Sequence, residues 1–366
     1  MAAAKLAGSS PMLLSLFERA VVLLSRVRYR TRVLATLALV SASLCWLYWS
    51  AGAQRVSRIY NGGFASPKDH DHGTWVDNSS GTDWERPRRG HLIPPKIWQV
   101  MLPKFRGQKA KVDPEVLRET KTWLAMNPDY TYTLIGDGGG RDFINRHFGH
   151  NKTIASTFEA LPNVGMKSDL LRYLILGVEG GVYTDTDTMA LKPIDDWVPV
   201  PFRNDTRLIV GIEFDQRDGG LWTDISNSVQ FCQWTIAAAP GHPVFQRMVS
   251  RVIRSLEELA GKYADDPEWT PTSFEVMNST GPAAWTDVVW EYLQETDENL
   301  TDLRNLSSLG PPRLFRDALV LPIDGFGVGQ PHSGSTNDGS LPDGALVKHL
   351  FGGSWRGGKK QGEKGT

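Results

Sequence analysis

The sequence predicts an α/β domain with a mostly parallel central sheet, preceded by one N-terminal transmembrane helix. From His91 onwards, segments typical of buried strands alternate with segments of helical length, which is the order expected of a parallel α/β sheet. Val33–Ala53 is a run of 21 residues without a charge. A helix needs about 20 such residues to cross a bilayer.

The strand and helix predictions rest on apolar periodicity and on Gly and Pro at the ends of segments. The predicted strands are Ile93–Val100, Tyr130–Ile135, Val182–Asp185 and Leu208–Glu213. The predicted helices are Pro114–Met126, Arg141–Phe148, Lys167–Leu176 and Pro243–Leu259.

Composition is that of a globular protein whose core holds it together. Apolar residues make up 40% of the 366 residues, which is enough for a sizeable core. The net charge of −1 gives no electrostatic argument for nucleic acid, so no nucleic-acid partner is expected. Only Cys45 and Cys232 are present, and Cys45 lies in the apolar run, so no disulfide is expected between them.

Charge around the apolar run predicts its orientation. Six basic residues precede it: Lys5, Arg19, Arg26, Arg28, Arg30 and Arg32. Only Arg55 and Arg58 follow closely, so the N-terminus is expected in the cytosol and the C-terminal part in the lumen, as in a single-pass type II membrane protein. A cleaved signal peptide would have a shorter apolar segment, and a buried core helix would carry a polar face.

The predicted organisation therefore has five parts. They are a cytosolic tail (1–32), a transmembrane signal-anchor (33–53), a luminal stem (54–90), a folded domain (91–356) and a disordered tail (357–366). Six N-x-[ST] sequons follow the anchor, which supports a glycosylated luminal chain. Their asparagines are Asn78, Asn151, Asn204, Asn278, Asn299 and Asn305.

Two acidic residues after the third predicted strand form the chemical centre of the sequence. Asp185 and Asp187 are two apart, so in extended chain their carboxylates point the same way and suit Mn²⁺ or Mg²⁺. Such an ion neutralises a departing diphosphate. D-x-D also occurs in solvated loops, but here it leaves a buried segment, Val182–Tyr183. The preceding Gly180–Gly181 is expected to let the backbone approach a ligand closely.

The preceding helix carries a second polar pair. Asp169 and Arg172 are three apart and share a face of the helix. They form either an exposed ion pair or a pair turned toward the cleft. In the second case, which the short distance to Gly180 favours, Asp169 binds sugar hydroxyls and Arg172 steadies sugar or phosphate.

The C-terminal segment holds one more candidate ligand. His349 is a metal ligand if the chain returns to the two acids, and otherwise an exposed loop histidine. Gly352–Gly353 beside Ser354 and Trp355 predicts a tight loop that closes over a ligand.

These motifs resemble the D-x-D glycosyltransferases of family GT32. The early ones are Ile93–Gln99, Trp123 with Asn127–Tyr132, Ser168–Tyr173 and Gly180–Asp187. The later ones are Gly211–Asp215, Gln230–Pro243, Thr280–Asp287 and His349–Trp355. The resemblance covers about residues 91 to 356 in order, and it implies a GT-A-like nucleotide-sugar-binding domain with a retaining mechanism.

The resemblance also implies roles for individual residues. Asp187 would bind the metal directly, Asp185 would bind ribose and reach the metal through water, and His349 would complete the metal shell. Asp169 and Arg172 would contact the donor sugar.

Three further donor-site residues follow from the same resemblance. Trp355 would lie near the leaving oxygen, and Ser354 would bind the donor. Trp98 stands where the family commonly has histidine, and it is expected to stack on the nucleotide base.

The later motifs resemble family members that transfer mannose from GDP-mannose to N-glycan cores in α-1,6 linkage, initiating the outer chain in the Golgi. The implied function is a retaining, metal-dependent mannosyltransferase acting on an N-glycan or glycoprotein. One alternative is a family member acting on a sphingolipid or another glycan. Another is an inactive scaffold subunit of a Golgi mannan-synthesising complex, which the presence of Asp185, Asp187 and His349 disfavours.

Overall fold

The computed structural model describes residues 92–103, 115, 117–161, 163–220, 225–266, 269–331 and 333–352. All of them belong to one compact unit, His70–Thr366. The predicted cytosolic tail, anchor, stem and C-terminal tail lie outside the described residues, as do Ser354 and Trp355. No helix in the described part is long and apolar enough to cross a membrane.

An eight-stranded sheet forms the centre of the domain. Its strands are β1 (Lys96–Val100), β2 (Thr131–Ile135), β3 (Gly181–Thr184), β5 (Leu208–Asp215), β6 (Val229–Phe231), β7 (Thr235–Ala238), β8 (Arg313–Phe315) and β9 (Ala318–Leu321). The order is β2-β1-β3-β7-β5-β9-β8, with β6 paired to β5. The pairings make β1, β2, β3, β5 and β9 run in one direction and β6, β7 and β8 in the other. The α/β class is confirmed, and most strands share one direction.

Helices cover the sheet. They are α1 (Thr120–Met126), α2 (Asp137–Phe148), α3 (Lys152–Ala160), α4 (Val164–Glu179), α5 (Pro243–Lys262), α6 (Ser273–Ser279), α7 (Pro282–Gln294) and α8 (Ile323–Gly327). Short 3₁₀ turns occur at Ile194–Asp196, Val200–Phe202 and Leu303–Leu306.

Every strand and helix predicted from periodicity exists, with shifted ends. The largest shift is at α1, which begins at Thr120 rather than Pro114, a residue outside the described ones. The elements that were not predicted lie mostly after α5. Helix α7 buries nine of its residues, so it lacks the polar face that marks a helix in sequence. Strands β8 and β9, and the later strand β10 (Val347–His349), have three or four residues, too few to show a period.

Helix α4 lies at the centre of the core and supports the candidate site. Its N-terminus is capped by Asn163, whose side chain accepts a hydrogen bond from the backbone N–H of Gly165 at 2.7 Å. Ten of its 16 residues are buried, and two of these ten, Asp169 and Arg172, are charged. The helix therefore brings ionisable groups into the interior, where they require partners.

A second, two-stranded sheet returns the C-terminal chain to the D-x-D segment. Strand β4 (Thr188–Ala190) pairs antiparallel with β10 (Val347–His349). The register places His349 opposite Thr188, the residue after the second acid. This pairing brings together two segments that are more than 150 residues apart in the chain.

The glycine pair at the end of α4 serves the protein's own packing rather than a ligand. Gly180 has φ +60° and ψ −162°, a region that essentially only glycine adopts. A Cβ on Gly180 would lie 2.7 Å from the backbone nitrogen of Pro240, and one on Gly181 would lie 2.7 Å from the carbonyl oxygen of Lys96. The expected close approach is therefore made by neighbouring backbone, which corrects the ligand-approach prediction.

Replacing Gly180 by alanine is expected to lower the free energy of unfolding by at least about 2 kcal/mol, because strain and backbone overlap add. Gly261→Ala is the matched control, since a Cβ there meets nothing within 4 Å. Gly261 lies in the last turn of α5, so that substitution is expected to stabilise by about 0.5–1 kcal/mol. Urea unfolding of both variants checks this, and equal stabilities would contradict it.

Candidate active site

A buried ion pair on α4 forms the floor of the site. Nη2 of Arg172 lies 2.9 Å from Oδ1 of Asp169, and each side chain is only 5% exposed. The exposed-pair alternative is therefore wrong. Nη2 of Arg172 also lies 3.5 Å from Oδ1 of Asp185, which joins the floor to the first acid of D-x-D.

Protein groups surround both members of this pair. Asp169 accepts hydrogen bonds from Nε2 of Gln233 at 3.0 Å and from the hydroxyl of Thr280 at 2.8 Å. Arg172 donates to the carbonyl of Gln233 at 2.9 Å, and its guanidinium lies 4.5 Å from the ring centre of Tyr183. Burial raises the pKa of Asp169 to about 6, against the opposing effect of Arg172. The carboxylate is thus ionised at neutral pH, and among the described residues Oδ2 accepts a hydrogen bond only from Thr280.

Gln233 and Thr280 lie in two of the sequence motifs, but the sequence predicts no role for either residue. Their side chains meet at Asp169 although one precedes β7 and the other precedes α7. Tyr173 reinforces the contact, because its hydroxyl donates to Oε1 of Gln233 and to the carbonyl of Thr280, at 3.0 and 2.9 Å. Only the fold brings these three positions together, so no local pattern could have found them.

The first acid of D-x-D is held from two sides. The hydroxyl of Tyr183 donates to Oδ1 of Asp185 at 2.7 Å, and the backbone N–H of Asp185 donates to the carbonyl of Trp234 at 2.9 Å. The Asp185 side chain keeps 28% exposure, so it can still meet a ligand from solvent.

The second acid contacts the C-terminal segment. Nε2 of His349 lies 3.2 Å from Oδ1 of Asp187, and the backbone N–H of Gly352 donates to Oδ2 at 2.7 Å. Burial opposes ionisation, but the contacts with His349 and Gly352 outweigh it and lower the pKa of Asp187. The chain does return to the acids, as the ligand hypothesis for His349 requires.

Asp185, Asp187 and His349 have the chemistry and the spacing of a divalent-metal site. One ligand atom from each lies within 4.8 Å of the others. Ligands of one ion bound at about 2.1 Å are at most about 4 Å apart, so a small inward movement suffices. The two carboxylates suit Mn²⁺ or Mg²⁺, and imidazole is a common ligand of divalent transition-metal ions. The residues present thus fit a divalent cation.

Behind His349 lies a buried carboxylate that was not predicted as part of the site. Oε2 of Glu213 accepts a hydrogen bond from the indole N–H of Trp234 at 2.8 Å. The Trp234 ring stacks on His349, with centroids 4.6 Å apart and planes at 24°. Gln230 donates to Oε1 of Glu213 at 2.7 Å. Glu213 therefore positions His349 through Trp234.

Trp98 does not offer the open ring face that stacking on a nucleotide base requires. Its side chain is 6% exposed and packs in the core, and its indole N–H donates to the carbonyl of Gly180 at 2.8 Å. The ring is packed in the core beside Gly181 and cannot stack on a nucleotide base, which corrects the prediction made for Trp98. The roles predicted for Ser354 and Trp355 stay predictions.

The chain is similar to one protein family and to several individual proteins of known name. The family model described as a glycosyltransferase sugar-binding region containing a DXD motif matches residues 113–202. An initiation-specific α-1,6-mannosyltransferase of Schizosaccharomyces pombe is 36% identical over 268 residues, covering 72% of this chain and 64% of the relative. The protein of the same description from Candida albicans is 31% identical over 291 residues, covering 72% of each chain. A mannosyl phosphorylinositol ceramide synthase of Saccharomyces cerevisiae is 28% identical over 202 residues, covering 54% of this chain and 44% of the relative.

The buried carboxyl group of Glu213 is expected to make the stability of the protein depend on pH. Burial raises its pKa to about 7, so the folded protein holds a proton that the unfolded chain releases nearer pH 4.5. The contribution of Glu213 to the free energy of unfolding is fully present below the pKa of the unfolded chain. It is lost as pH rises through about 7, and the total loss is up to about 3 kcal/mol. Glu213→Gln is expected to remove this part of the pH dependence. Its new amide can be accommodated if the Gln230 amide turns over, since Oε1 of Gln230 has no partner among the residues that the structure describes.

Urea unfolding of metal-free protein between about pH 5 and pH 8 measures the effect. Glu258→Gln, an exposed position on α5, is the matched control and should leave the pH dependence as in the unsubstituted protein. A Glu213→Gln curve parallel to that of the control would contradict the prediction.

Proposed function

Since the chain belongs to the glycosyltransferases with a D-x-D sugar-binding region, we propose that it transfers mannose from GDP-mannose to N-glycan cores in α-1,6 linkage. The observation that carries this proposal is the convergence of Asp185, Asp187 and His349 above the Asp169–Arg172 pair. The relatives named initiation-specific α-1,6-mannosyltransferases support mannose as the transferred sugar and α-1,6 as the linkage. The chain spans 64% of the length of the first of these relatives.

Asp185, Asp187 and His349 would hold the divalent cation, which supplies positive charge against the diphosphate leaving group when bound. Arg172 supplies a second, permanent positive charge at the floor, because its neighbours Tyr183, Asp185 and Asp169 raise its pKa against the effect of burial. Asp169 fixes that guanidinium and keeps a lone pair on Oδ2 for a donor-sugar hydroxyl.

The proposed mechanism retains the configuration of the sugar. The described carboxylates near the floor are Asp169 and Asp185, and both are engaged by Arg172. Neither is a free nucleophile for the far side of the sugar. Front-side displacement is therefore the proposed route, with the departing phosphate taking the proton of the acceptor hydroxyl.

Purified protein tested against a panel of nucleotide sugars and acceptors examines the function directly. The expected result is transfer from GDP-mannose to a high-mannose N-glycan, with Mn²⁺ or Mg²⁺ required. Inositol phosphoceramide belongs in the acceptor panel because of the ceramide synthase relative. Transfer only to that lipid would establish the alternative acceptor, and no transfer from any donor would favour the scaffold role.

Asp187→Asn is expected to lower turnover by more than about 100-fold, because a charged ligand of the cation is lost. The fold should persist, since the Asn oxygen can still accept the hydrogen bond from Gly352. Mn²⁺ binding followed by electron paramagnetic resonance gives a readout independent of transfer, and Asp196→Asn, at an exposed position, is the control. Retention of most activity at saturating Mn²⁺ would contradict the assignment.

We also propose a Golgi location, with the catalytic domain in the lumen behind a single-pass type II anchor. The apolar run Val33–Ala53, its basic flank and the sequons support this. Four sequon asparagines lie at exposed positions of the described chain: Asn151, Asn204, Asn299 and Asn305. Asn278 is half-buried on α6, and Asn78 lies outside the described residues.

Residues 54–366, secreted from eukaryotic cells behind a heterologous signal peptide, are expected to carry N-glycans, because exposed sequons in the lumen are accessible to glycosylation. Endoglycosidase treatment should increase gel mobility. A chain in which every sequon asparagine is replaced by glutamine is the control and should not shift. Identical mobility of the two untreated chains would argue against the luminal topology.

A further inference from the structure

A cavity of about 400 Å³ lies apart from the catalytic residues. It is formed by the chain after β5, the chain just before β6, helix α7 and the chain around the start of the 3₁₀ turn Leu303–Leu306. The lining includes the polar, charged or aromatic residues Gln216, Asn227, Ser228, Trp290, Asp302 and Arg304. None of them takes part in the site described above.

The sheet relates this cavity to the D-x-D acids. Strands β3 and β5 run in the same direction on either side of β7, so both end at the same edge of the sheet. Asp185 follows β3 and Gln216 follows β5 at this edge, which is where open α/β sheets bind ligands. Two strand spacings separate β3 from β5 sideways by about 10 Å.

The register gives the distance along the strands. Gly181 and Leu208 lie opposite the same residue, Ala238, so Asp185 is level with Ile212. Gln216 lies four residues beyond that level, which is about 13 Å at 3.3 Å per residue. Combined with the sideways spacing, the near wall of the cavity is about 16 Å from Asp185. An extended oligosaccharide can span that length, whereas a single sugar cannot.

Unused hydrogen-bonding groups line the cavity. Nδ2 of Asn227 is buried and has no hydrogen-bond partner in the described part of the chain. Nε2 of Gln216 donates to the carbonyl of Gly219, and its Oε1 has no partner among the described residues. An unsatisfied buried donor costs about 1–3 kcal/mol. A ligand hydroxyl would offset that cost by accepting from Nδ2 once the Asn227 side chain turns toward the cavity that it lines.

The charges and side-chain types of the lining favour a neutral ligand. Nη1 of Arg304 lies 3.6 Å from Oδ2 of Asp302, so the two charges compensate. Trp290, half-buried on α7, adds an aromatic side chain that the apolar face of a sugar ring can cover. Amides, a hydroxyl and an indole without net charge suit a polyhydroxylated ring and give a phosphate no advantage.

The geometry points to an outlying acceptor subsite, which binds a mannose residue of a branched N-glycan remote from the reacting hydroxyl. This inference rests on the proposed function for the identity of the acceptor. Asn227 donates to a hydroxyl of that residue, Gln216 accepts from one, and Trp290 lies against the ring. The subsite favours large glycans over small acceptors without touching the donor sugar.

Asn227→Ala tests the subsite, with Asn145→Ala, an exposed asparagine on α2, as the matched control. Transfer is measured to a high-mannose N-glycan and to methyl α-mannoside at saturating GDP-mannose. Loss of one hydrogen bond to a ligand should raise the KM for the N-glycan on the order of fivefold. The KM for methyl α-mannoside, the KM for GDP-mannose and kcat should stay as in the unsubstituted protein.

Equal changes in KM for both acceptors, or no change for either, would overturn the subsite. Titration calorimetry with the N-glycan alone, in the absence of donor, separates this failure from failure of the proposed function. If the unsubstituted protein binds the glycan more tightly than Asn227→Ala but transfers no mannose, the subsite stands and the proposed function is wrong. If it transfers mannose while Asn227→Ala binds the glycan equally well, the subsite is wrong and the function stands.

Discussion

The buried guanidinium of Arg172 determines how the parts of the site are arranged. An unpaired charge in the interior costs several kcal/mol, so it must be surrounded by acceptors. Asp169 pairs with it from the same helix, Asp185 approaches from the end of β3, and the Gln233 carbonyl binds it from the turn before β7. Displacing any one of these groups would leave the charge incompletely paired. The positions of α4, β3 and the β6–β7 turn are thereby coupled.

A second buried carboxylate supports the other side of the site. Glu213 holds the Trp234 indole, and that ring stacks on His349, so the C-terminal histidine rests on a surface fixed from within. The backbone carbonyl of Trp234 also accepts from Asp185. Trp234 therefore contacts both Asp185 of the D-x-D motif and His349 on the other side of the site. Positioning of this kind matters for metal sites, because the groups behind the ligands set their orientation.

The long strand β5 connects the chemistry to the cavity beyond it. It carries Glu213 behind His349 and extends past the level of Asp185 to Asp215, the residue before Gln216. A glycan that reacts at the acids and reaches the cavity would follow this edge of the sheet. Recognition of a large acceptor can then depend on groups that play no part in bond cleavage, so selectivity and catalysis can vary separately.

Much of the fold could be predicted from the sequence, because its first two thirds obey local rules. Apolar periodicity and Gly or Pro breaks placed β1, β2, α4, β3 and β5 close to their observed bounds. The C-terminal third could not be predicted in the same way. Helix α7 is buried on most sides, and β8 to β10 are too short to show a pattern, so their existence depends on neighbours distant in the chain.

The same division holds for the site. The sequence by itself determined Asp185 and Asp187, and the shared face of Asp169 and Arg172, because residues two apart in a strand or three apart in a helix have fixed relative directions. Only the tertiary structure decided that Gln233 and Thr280 meet at Asp169, that Trp98 is enclosed, and that Glu213 stands behind His349. These contacts join residues tens to more than a hundred positions apart. They are set by strand order and by the requirement that buried polar groups find partners, and neither is encoded in local spacing.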